Sequence, residues 1–158
     1  MTDLTLTALE RDTMRAVTDH ACALHEDGKD IVFTAAVILE GEVIARAKNE
    51  VAEQGDPSRH AEVVAIAKAA AAAGSRDLSG ATLLASCQPC EMCLSAMRWA
   101  GISRVIFAAQ QANIDTAFFR FPRLTINDFH TACGGCFDWK GGIDEDRVRH
   151  IYATGEDG

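Results

Sequence analysis

Two short motifs in the sequence hold side chains that could bind a metal ion and move protons. One is His60-Ala-Glu62 and the other is Pro89-Cys90-Glu-Met-Cys93. Cys90 and Cys93 are three residues apart, so they share one face of a helix and could chelate a single ion. With His60 they would give zinc three ligands and leave the fourth position open, which is typical of a catalytic site. Glu62 would then serve as the base for an activated water.

The two-residue spacing of His60 and Glu62 makes sense only at the start of a helix. In the middle of a helix the two side chains would diverge. In the first turn both can flank a point just beyond the helix end, so that one binds the metal while the other reaches the water. Two helix starts aimed at this point would favour thiolates and hydroxide there, by about 0.3–1 kcal/mol each when exposed. The predicted cofactor is Zn²⁺, and the second reactant is a catalytic water.

A second C-x-x-C pair offers a different zinc site. Cys133-Gly-Gly-Cys136 could join Cys90 and Cys93 in a closed four-cysteine structural site. That arrangement would leave the His-Ala-Glu motif without a role, so we interpret Cys133 and Cys136 as part of a loop near the pocket that binds no ion. A zinc-stabilised interaction module without catalysis is the remaining non-enzymatic alternative. A carboxylate beside an open metal position argues against it.

The hydrophobic pattern predicts a single α/β domain over residues 1–158. A helix crosses between the last two predicted strands, so those two strands should be parallel. The alternation of elements favours one mixed sheet with helices packed on both faces. The predicted helices cover 8–26, 56–74 (starting at Asp56-Pro57) and 89–101, and the predicted strands cover 31–39, 42–48, 81–86 and 104–109. Beyond residue 110 the pattern weakens: residues 118–121 are expected in a helix or loop, and 147–153 in a short strand or helix.

The stretches around both motifs resemble the cytidine deaminase superfamily, and within it most the guanine deaminase and tRNA adenosine deaminase branch. They are Asp56-Pro-Ser-Arg-His-Ala-Glu-Val63 and Cys87-Gln-Pro-Cys-Glu-Met-Cys-Leu-Ser-Ala96. The resemblance covers about residues 31–109 and implies a three-layer α/β/α sandwich with a mixed, about five-stranded sheet. It also implies that Glu62 moves protons from the attacking water to a ring nitrogen and to departing ammonia. Asn49 matches an asparagine that hydrogen-bonds the base in related enzymes, and many relatives are oligomers, so we expect a homodimer.

Three stretches depart from the pattern of those relatives where the substrate is selected. Gln88 stands where the guanine and tRNA enzymes usually carry glutamate, and Phe33-Thr-Ala-Ala replaces Pro-hydrophobic-Gly-Ala. A stretch of three phenylalanines, Ala117-Phe-Phe-Arg-Phe121, lies near the position of a Phe-Asp-Asp element. We expect the substrate to be guanine or a related amino-heterocycle, with a cytosine- or cytidine-type aminopyrimidine and a tRNA adenosine as alternatives. The residues expected to bind it are Phe33, Asn49, Ala61, Phe118 and Phe119.

The overall composition favours a small substrate over a nucleic acid. The chain of 158 residues carries 15 lysines and arginines against 23 acidic residues, a net charge of −8, whereas proteins that grip a phosphate backbone usually have a basic surface. The N-terminus lacks the pattern of a signal peptide, and no apolar run is long enough to cross a membrane. We therefore expect a cytoplasmic protein, in which the six cysteines are metal ligands, catalytic groups or core residues in preference to disulfides.

Overall fold

The computed structural model describes residues 3–153, in which helices and strands are mixed along the chain. The first helix begins at a capping box: the Thr7 hydroxyl accepts from the Glu10 N–H at 3.1 Å, and the Glu10 carboxylate accepts from the Thr7 N–H at 2.8 Å. The helices are α1 (Ala8–Glu26), α2 (Val51–Gln54), α3 (Ala61–Ala73), α4 (Glu91–Trp99), α5 (Ile126–Ala132) and α6 (Arg149–Tyr152). The strands are β1 (Thr34–Leu39), β2 (Glu42–Lys48), β3 (Thr82–Cys87), β4 (Arg104–Ala109) and β5 (Asp138–Lys140).

The five strands form one mixed sheet in the order β2-β1-β3-β4-β5. β1 is antiparallel to both β2 and β3, whereas β3, β4 and β5 are parallel. The predicted parallel pairing of the last two recognised strands is confirmed, since α4 crosses between β3 and β4 and Leu84 pairs with Ile106. The end of β2, the start of β1 and the end of β3 therefore meet at the same edge of the sheet.

Helices cover both faces of the sheet, which confirms the predicted layered α/β architecture. Because side chains alternate along a strand, β3 and β4 bury neighbouring residues on opposite faces. Leu83 and Val105 pack in the core formed with α3 and α4, while Leu84 and Ile106 pack in the core formed with α1. All four are fully buried. Between residues 3 and 153 no helix is both long and apolar enough to cross a membrane.

The two helices that carry the chemical motifs start later than predicted. We expected a helix from Asp56-Pro57, but the Asp56 carboxylate instead accepts from the backbone and hydroxyl of Ser58, at 2.9 and 2.6 Å, and makes a local turn. α3 therefore begins at Ala61, and His60 is its N-cap in an extended conformation. In the same way α4 begins two residues after Pro89, with Cys90 as the extended N-cap.

The C-terminal third contains regular structure that the hydrophobic pattern did not reveal. α5 and β5 follow one another, and β5 adds the fifth strand to the sheet beside β4. Residues 116–118 form a single 3₁₀ turn that leads into extended backbone at Phe119. Residues 149–152 form the short helix α6, which resolves the open alternative of strand or helix for that region. β1 also starts at Thr34 instead of Ile31.

Candidate active site

The motif residues come together because two helices start at one edge of the sheet. His60 precedes α3, and Cys90 follows β3 at the start of α4. Both have the extended backbone of an N-cap, so each side chain projects beyond its helix instead of along it. Neither side chain makes the usual N-cap hydrogen bond to a backbone N–H of its helix. The two side chains are thus free to meet in front of two helix N-termini, where negative charge is favoured.

Three side-chain atoms form a set with the dimensions of a tetrahedral zinc site. The Nδ1 atom of His60 lies 3.5 Å from the Cys90 Sγ and 3.6 Å from the Cys93 Sγ, and the two sulfur atoms are 3.7 Å apart. Zinc bonds of ordinary length at tetrahedral angles would separate nitrogen from sulfur by about 3.6 Å and sulfur from sulfur by about 3.8 Å. These residues fit zinc without rearrangement, and among residues 3–153 they are the group of metal-binding side chains that comes together.

The fourth group of the motif lies beside this set. The Glu62 Oε2 is 3.5 Å from the Cys93 Sγ, and the Glu62 side chain is buried. Burial, together with the negative charge of Cys90, raises the pKa of the Glu62 carboxyl to about 7. Removing a carboxylate from water disfavours its charged form. The site therefore holds a carboxyl group that can take up or release a proton near neutral pH.

The electrostatics of the metal-free site favour one thiolate beside one imidazolium. The hydrogen bond from Cys93, together with that from His60, lowers the pKa of the Cys90 thiol to about 4. The hydrogen bond between His60 and Cys90 raises the pKa of the His60 imidazole. The hydrogen bond between Cys93 and Cys90, together with burial, raises the pKa of the Cys93 thiol. Zinc binding would displace the proton of Cys93, because a metal-bound thiol is deprotonated.

A pocket opens in front of the metal-binding set, and most of the residues expected to bind a base lie in its wall. Phe118 is partly exposed at the mouth, whereas Phe119 is buried. Ala61 is different: it is fully buried as the first residue of α3 and does not line the pocket. Phe121 is 60% exposed and also lies outside it. The lining residues are Phe33, Asn49, His60, Glu62, Cys87, Gln88, Cys90, Phe118 and Phe119.

Asn49 is held in the pocket wall by both its side chain and its backbone. Its Oδ1 accepts a hydrogen bond of 2.9 Å from the Val51 N–H, and its own N–H donates to the Phe33 carbonyl at 3.0 Å. Because the oxygen is already engaged by a backbone donor, the amide nitrogen of Asn49 is the part of the side chain left to donate to a ligand.

Tyr152 is a residue that sequence reasoning missed. It lies on α6, is fully buried, and stacks on Phe33 with ring centroids 4.9 Å apart and an angle of 3° between the planes. Phe118 meets Phe33 edge-on at 5.2 Å. The Tyr152 hydroxyl hydrogen-bonds Ser86 at 2.8 Å. No local signal distinguishes this tyrosine, because its role depends on a contact 119 positions away in the sequence.

The expectation that the cysteines would not form disulfides is wrong for Cys133 and Cys136. The two residues form a disulfide with each other, and neither lines the pocket. Gly134 and Gly135 between them both have positive φ angles, of 71° and 73°, which lets the chain reverse and brings the two Cα atoms to 5.5 Å. A four-cysteine zinc site with Cys90 is therefore excluded, because these sulfur atoms are bonded to each other.

Comparison with known proteins agrees with this geometry. Residues 8–109 match the family described as the cytidine and deoxycytidylate deaminase zinc-binding region. The chain is 40% identical over 105 residues to the guanine deaminase of Bacillus subtilis, which covers 66% of this chain and 67% of that protein. It is 38% identical over 81 residues to the tRNA-specific adenosine deaminase of Agrobacterium fabrum, which covers 51% of this chain and 53% of that protein. The second match thus spans about half the length of each protein.

Solved structures share the fold as well. A chain from a study of A-to-I editing by tRNA:A34 deaminases superimposes with a TM-score of 0.72 at 29% identity, covering 87% of this chain and 96% of the other. The structure of the guanine deaminase of Bacillus subtilis superimposes with a TM-score of 0.61 at 34% identity, and the match covers 68% of this chain and 67% of the other. A guanine deaminase from Nitrosomonas europaea superimposes with a TM-score of 0.73 at 25% identity, and the match covers 92% of this chain and 83% of the other.

A three-donor metal site at two helix starts, on the edge of a mixed five-stranded sheet and next to a buried glutamate, defines a zinc-dependent hydrolytic deaminase. The chain belongs to the cytidine and deoxycytidylate deaminase family, and within the cytidine deaminase fold it is related to both guanine and tRNA adenosine deaminases.

Proposed function

We propose that this deaminase releases ammonia from guanine or a closely related amino-heterocycle, with zinc held by His60, Cys90 and Cys93. The single observation that carries the proposal is the position of Glu62. Its carboxylate lies 3.5 Å from a zinc-ligand sulfur, is buried, and faces an aromatic pocket. A structural zinc site has no use for such a group.

The buried position of Glu62 beside the metal-binding sulfur of Cys93 suits both halves of a hydrolytic deamination. When bound, zinc supplies Lewis-acid activation of water at the open position. Glu62 accepts one proton of the attacking water and passes it to a ring nitrogen of the base. It then takes the remaining proton from the added hydroxyl group and delivers it to the amino group, which leaves as ammonia while the carbonyl forms. General acid–base help of this kind is worth about 10²–10⁴-fold in rate.

The wall of the pocket supplies the groups that would hold a flat ring. Phe33 and Phe118 present aromatic surfaces, and the buried Phe119 lines the same pocket. Asn49 offers an amide N–H to an acceptor atom of the ring. Aromatic faces orient a planar base by stacking, while a donor in a fixed place sets its rotation in the pocket.

A small base is favoured over a tRNA adenosine by the surroundings of the pocket. The outer cavity that continues from it is lined mainly by apolar side chains, and its lining includes one acidic residue, Glu91, and one arginine, Arg120. A net charge of −8 makes a phosphate backbone a poor partner. The specific observation in favour of a tRNA substrate is the fold match that covers 96% of a chain from the tRNA:A34 deaminase study. It makes that substrate the second candidate.

The proposal extends to the setting in which the enzyme works. Residues 1–158 would form a single deaminase domain, in the cytoplasm, and would assemble as a homodimer in keeping with the oligomers common in this superfamily. The sedimentation velocity of the zinc-loaded protein tests the last point, because a dimer and a monomer of this chain differ twofold in mass.

The substrate is tested by measuring ammonia release from a panel of aminated compounds with the zinc-loaded enzyme. The panel contains guanine, adenine, cytosine, their nucleosides, and a transcript of a tRNA with adenosine at the wobble position, for which inosine is measured as well. Release from guanine at the highest kcat/KM supports the proposal. Preference for cytosine, or inosine formation only in the tRNA, would assign the alternative substrate instead.

A further inference from the structure

Gln88 is a buried polar residue of the pocket that the proposed chemistry does not use. It follows β3, is 7% exposed, and lines the pocket. Its Oε1 accepts a hydrogen bond of 3.0 Å from the backbone N–H of Gln111. Because a backbone N–H can only donate, the atom that it meets must be the amide oxygen. The orientation of the Gln88 amide is therefore fixed, and its NH₂ group is left for other partners.

The partner residue Gln111 is oriented by the same reasoning. Its Nε2 donates to the carbonyl oxygen of Leu124 at 3.1 Å and to that of Pro122 at 3.4 Å. Its Oε1 must then face the Gln88 Nε2, at 3.4 Å. An amide nitrogen carries two N–H groups, so this contact occupies at most one of those of Gln88. Within residues 3–153 the second N–H has no acceptor.

Gln88 and Asn49 present the same kind of group from two sides of the pocket. The Asn49 oxygen is also engaged by a backbone N–H, that of Val51 at 2.9 Å. Asn49 follows β2 and Gln88 follows β3, and β1, preceded by Phe33, lies between those strands. Two strand spacings amount to roughly 9.6 Å, which leaves room for one ring between the two amides.

We propose that Gln88 is a specificity-determining residue whose amide N–H donates to the substrate. The substrate class is an amino-heterocycle that presents an acceptor, an unprotonated ring nitrogen or a carbonyl oxygen, at the edge facing Gln88. A carboxylate at this position could only accept hydrogen bonds and would select a ring with an N–H at that edge. This inference rests on the proposed function and deepens it.

The test couples a change in the protein to a change in the ligand. Guanine is compared with analogues in which each acceptor ring nitrogen in turn is replaced by C–H, or the carbonyl oxygen by sulfur, a weaker acceptor. For each ligand kcat/KM is measured with wild type and with Gln88→Met. In wild type, loss of the acceptor that faces Gln88 should lower kcat/KM about tenfold, the worth of one hydrogen bond to a neutral donor. In Gln88→Met that same analogue and guanine should become equivalent to within about twofold, since the donor is gone.

The matched control is Gln111→Met, which disturbs the same hydrogen-bond network. It removes the Gln111 side chain but keeps the backbone N–H that orients the Gln88 amide, so discrimination of about tenfold between the two ligands should persist. Zinc content and thermal unfolding verify that each variant is folded. Should Gln88→Met not fold, Gln88→Glu removes the donor with a side chain of nearly equal size. The inference is overturned if the Gln88 variant discriminates every analogue from guanine as wild type does.

A parallel measurement separates this inference from the proposed function. Equilibrium binding of guanine and its analogues is measured by calorimetry on zinc-loaded Glu62→Gln, with and without Gln88→Met, and needs no turnover. Absence of ammonia release by wild type contradicts the proposed function. The role of Gln88 is contradicted if Gln88→Met changes the affinity for guanine and for every analogue by the same factor.

Discussion

The phenol ring of Tyr152 lies parallel to the ring of Phe33, with an angle of 3° between their planes and 4.9 Å between their centroids. Its hydroxyl group is held by Ser86 at 2.8 Å and donates to the Val32 carbonyl at 3.1 Å. The backbone carbonyl of Tyr152 accepts from the N–H of Asp115, just before the turn that carries Phe118. The C-terminal helix thus braces the aromatic wall of the pocket from behind.

Tyr152→Leu is expected to weaken base binding without stopping the chemistry. Loss of the stacked ring leaves Phe33 and Phe118 without their support, so the KM for guanine should rise about tenfold, while kcat changes by less than about threefold. Zinc content should be unchanged, since Tyr152 touches none of the metal-binding atoms. Steady-state ammonia release and metal analysis of the purified variant measure both quantities.

Phe107→Leu is the matched control for that variant. Phe107 is fully buried and stacks on Trp139 at 5.9 Å, but it belongs to the core on the α3 and α4 side of the sheet. Both substitutions remove a buried ring and should lower the free energy of unfolding by about 2–4 kcal/mol. If the two variants raise KM equally, Tyr152 contributes stability alone. Tyr152→Phe should retain the wild-type KM more closely than Tyr152→Leu, because it keeps the stacked ring.

Asn49→Ala is expected to lower kcat/KM by about 10–100-fold, the loss of one buried hydrogen bond together with some of the order of the pocket wall. Its zinc content should match that of wild type. Asn113 offers a comparable amide outside the pocket, where its Nδ2 donates to Glu145 at 2.9 Å. Asn113→Ala should therefore leave kcat/KM within about threefold of wild type. An equal loss of kcat/KM in the two variants would show that Asn49 does not bind the substrate.

The stability of the metal-free protein should depend on the ionisation of Glu62. Its pKa is about 7 in the folded protein against an ordinary value of 4.5. At a pH below the ordinary pKa, Glu62 is protonated in both the folded and the unfolded protein and does not change the free energy of unfolding. As the pH rises from there through 7, ionisation favours the unfolded chain increasingly, up to about 3 kcal/mol. The midpoint of thermal unfolding of metal-free Glu62→Gln should be clearly higher than that of wild type at pH 8, and only slightly higher at pH 5. Equal midpoints at pH 8 contradict this.

The disulfide between Cys133 and Cys136 should be dispensable for zinc binding. It lies at the end of α5, outside the pocket and apart from the metal-binding atoms. The double variant Cys133→Ser, Cys136→Ser should bind the same amount of zinc as wild type, measured by metal analysis after removal of loosely bound ions. Loss of the zinc in this variant would show that the C-terminal pair takes part in metal binding after all.

The metal-binding set could be predicted because the features that define it lie close together in the sequence. The ligand types, the three-residue spacing and the helix starts are all found within a few positions of His60 and Cys90. What the spacing could not tell was which nitrogen of His60 faces the sulfur atoms, and that both residues are N-caps. The later start of α3 depends on a turn made by Asp56 and Ser58, a side-chain hydrogen bond that competes with the helix.

The pocket wall could be predicted only in part because it is built from distant segments. Phe33 and Phe118 were expected there on the basis of their type, and both line the pocket. Tyr152 was not, since stacking against a residue 119 positions away leaves no periodic trace. β5 was also missed: three residues at the edge of a sheet are too few to produce an alternating pattern.

The central claim, that zinc on His60, Cys90 and Cys93 works together with Glu62 to remove an amino group, is tested most directly by one paired measurement. Zinc per chain and ammonia release from guanine are determined for Glu62→Gln and for Cys93→Ser. We predict that Glu62→Gln keeps about one zinc ion per chain and loses ammonia release by at least about 10²-fold, whereas Cys93→Ser loses zinc and activity together. Turnover by Glu62→Gln within a few-fold of wild type would contradict the proposed mechanism.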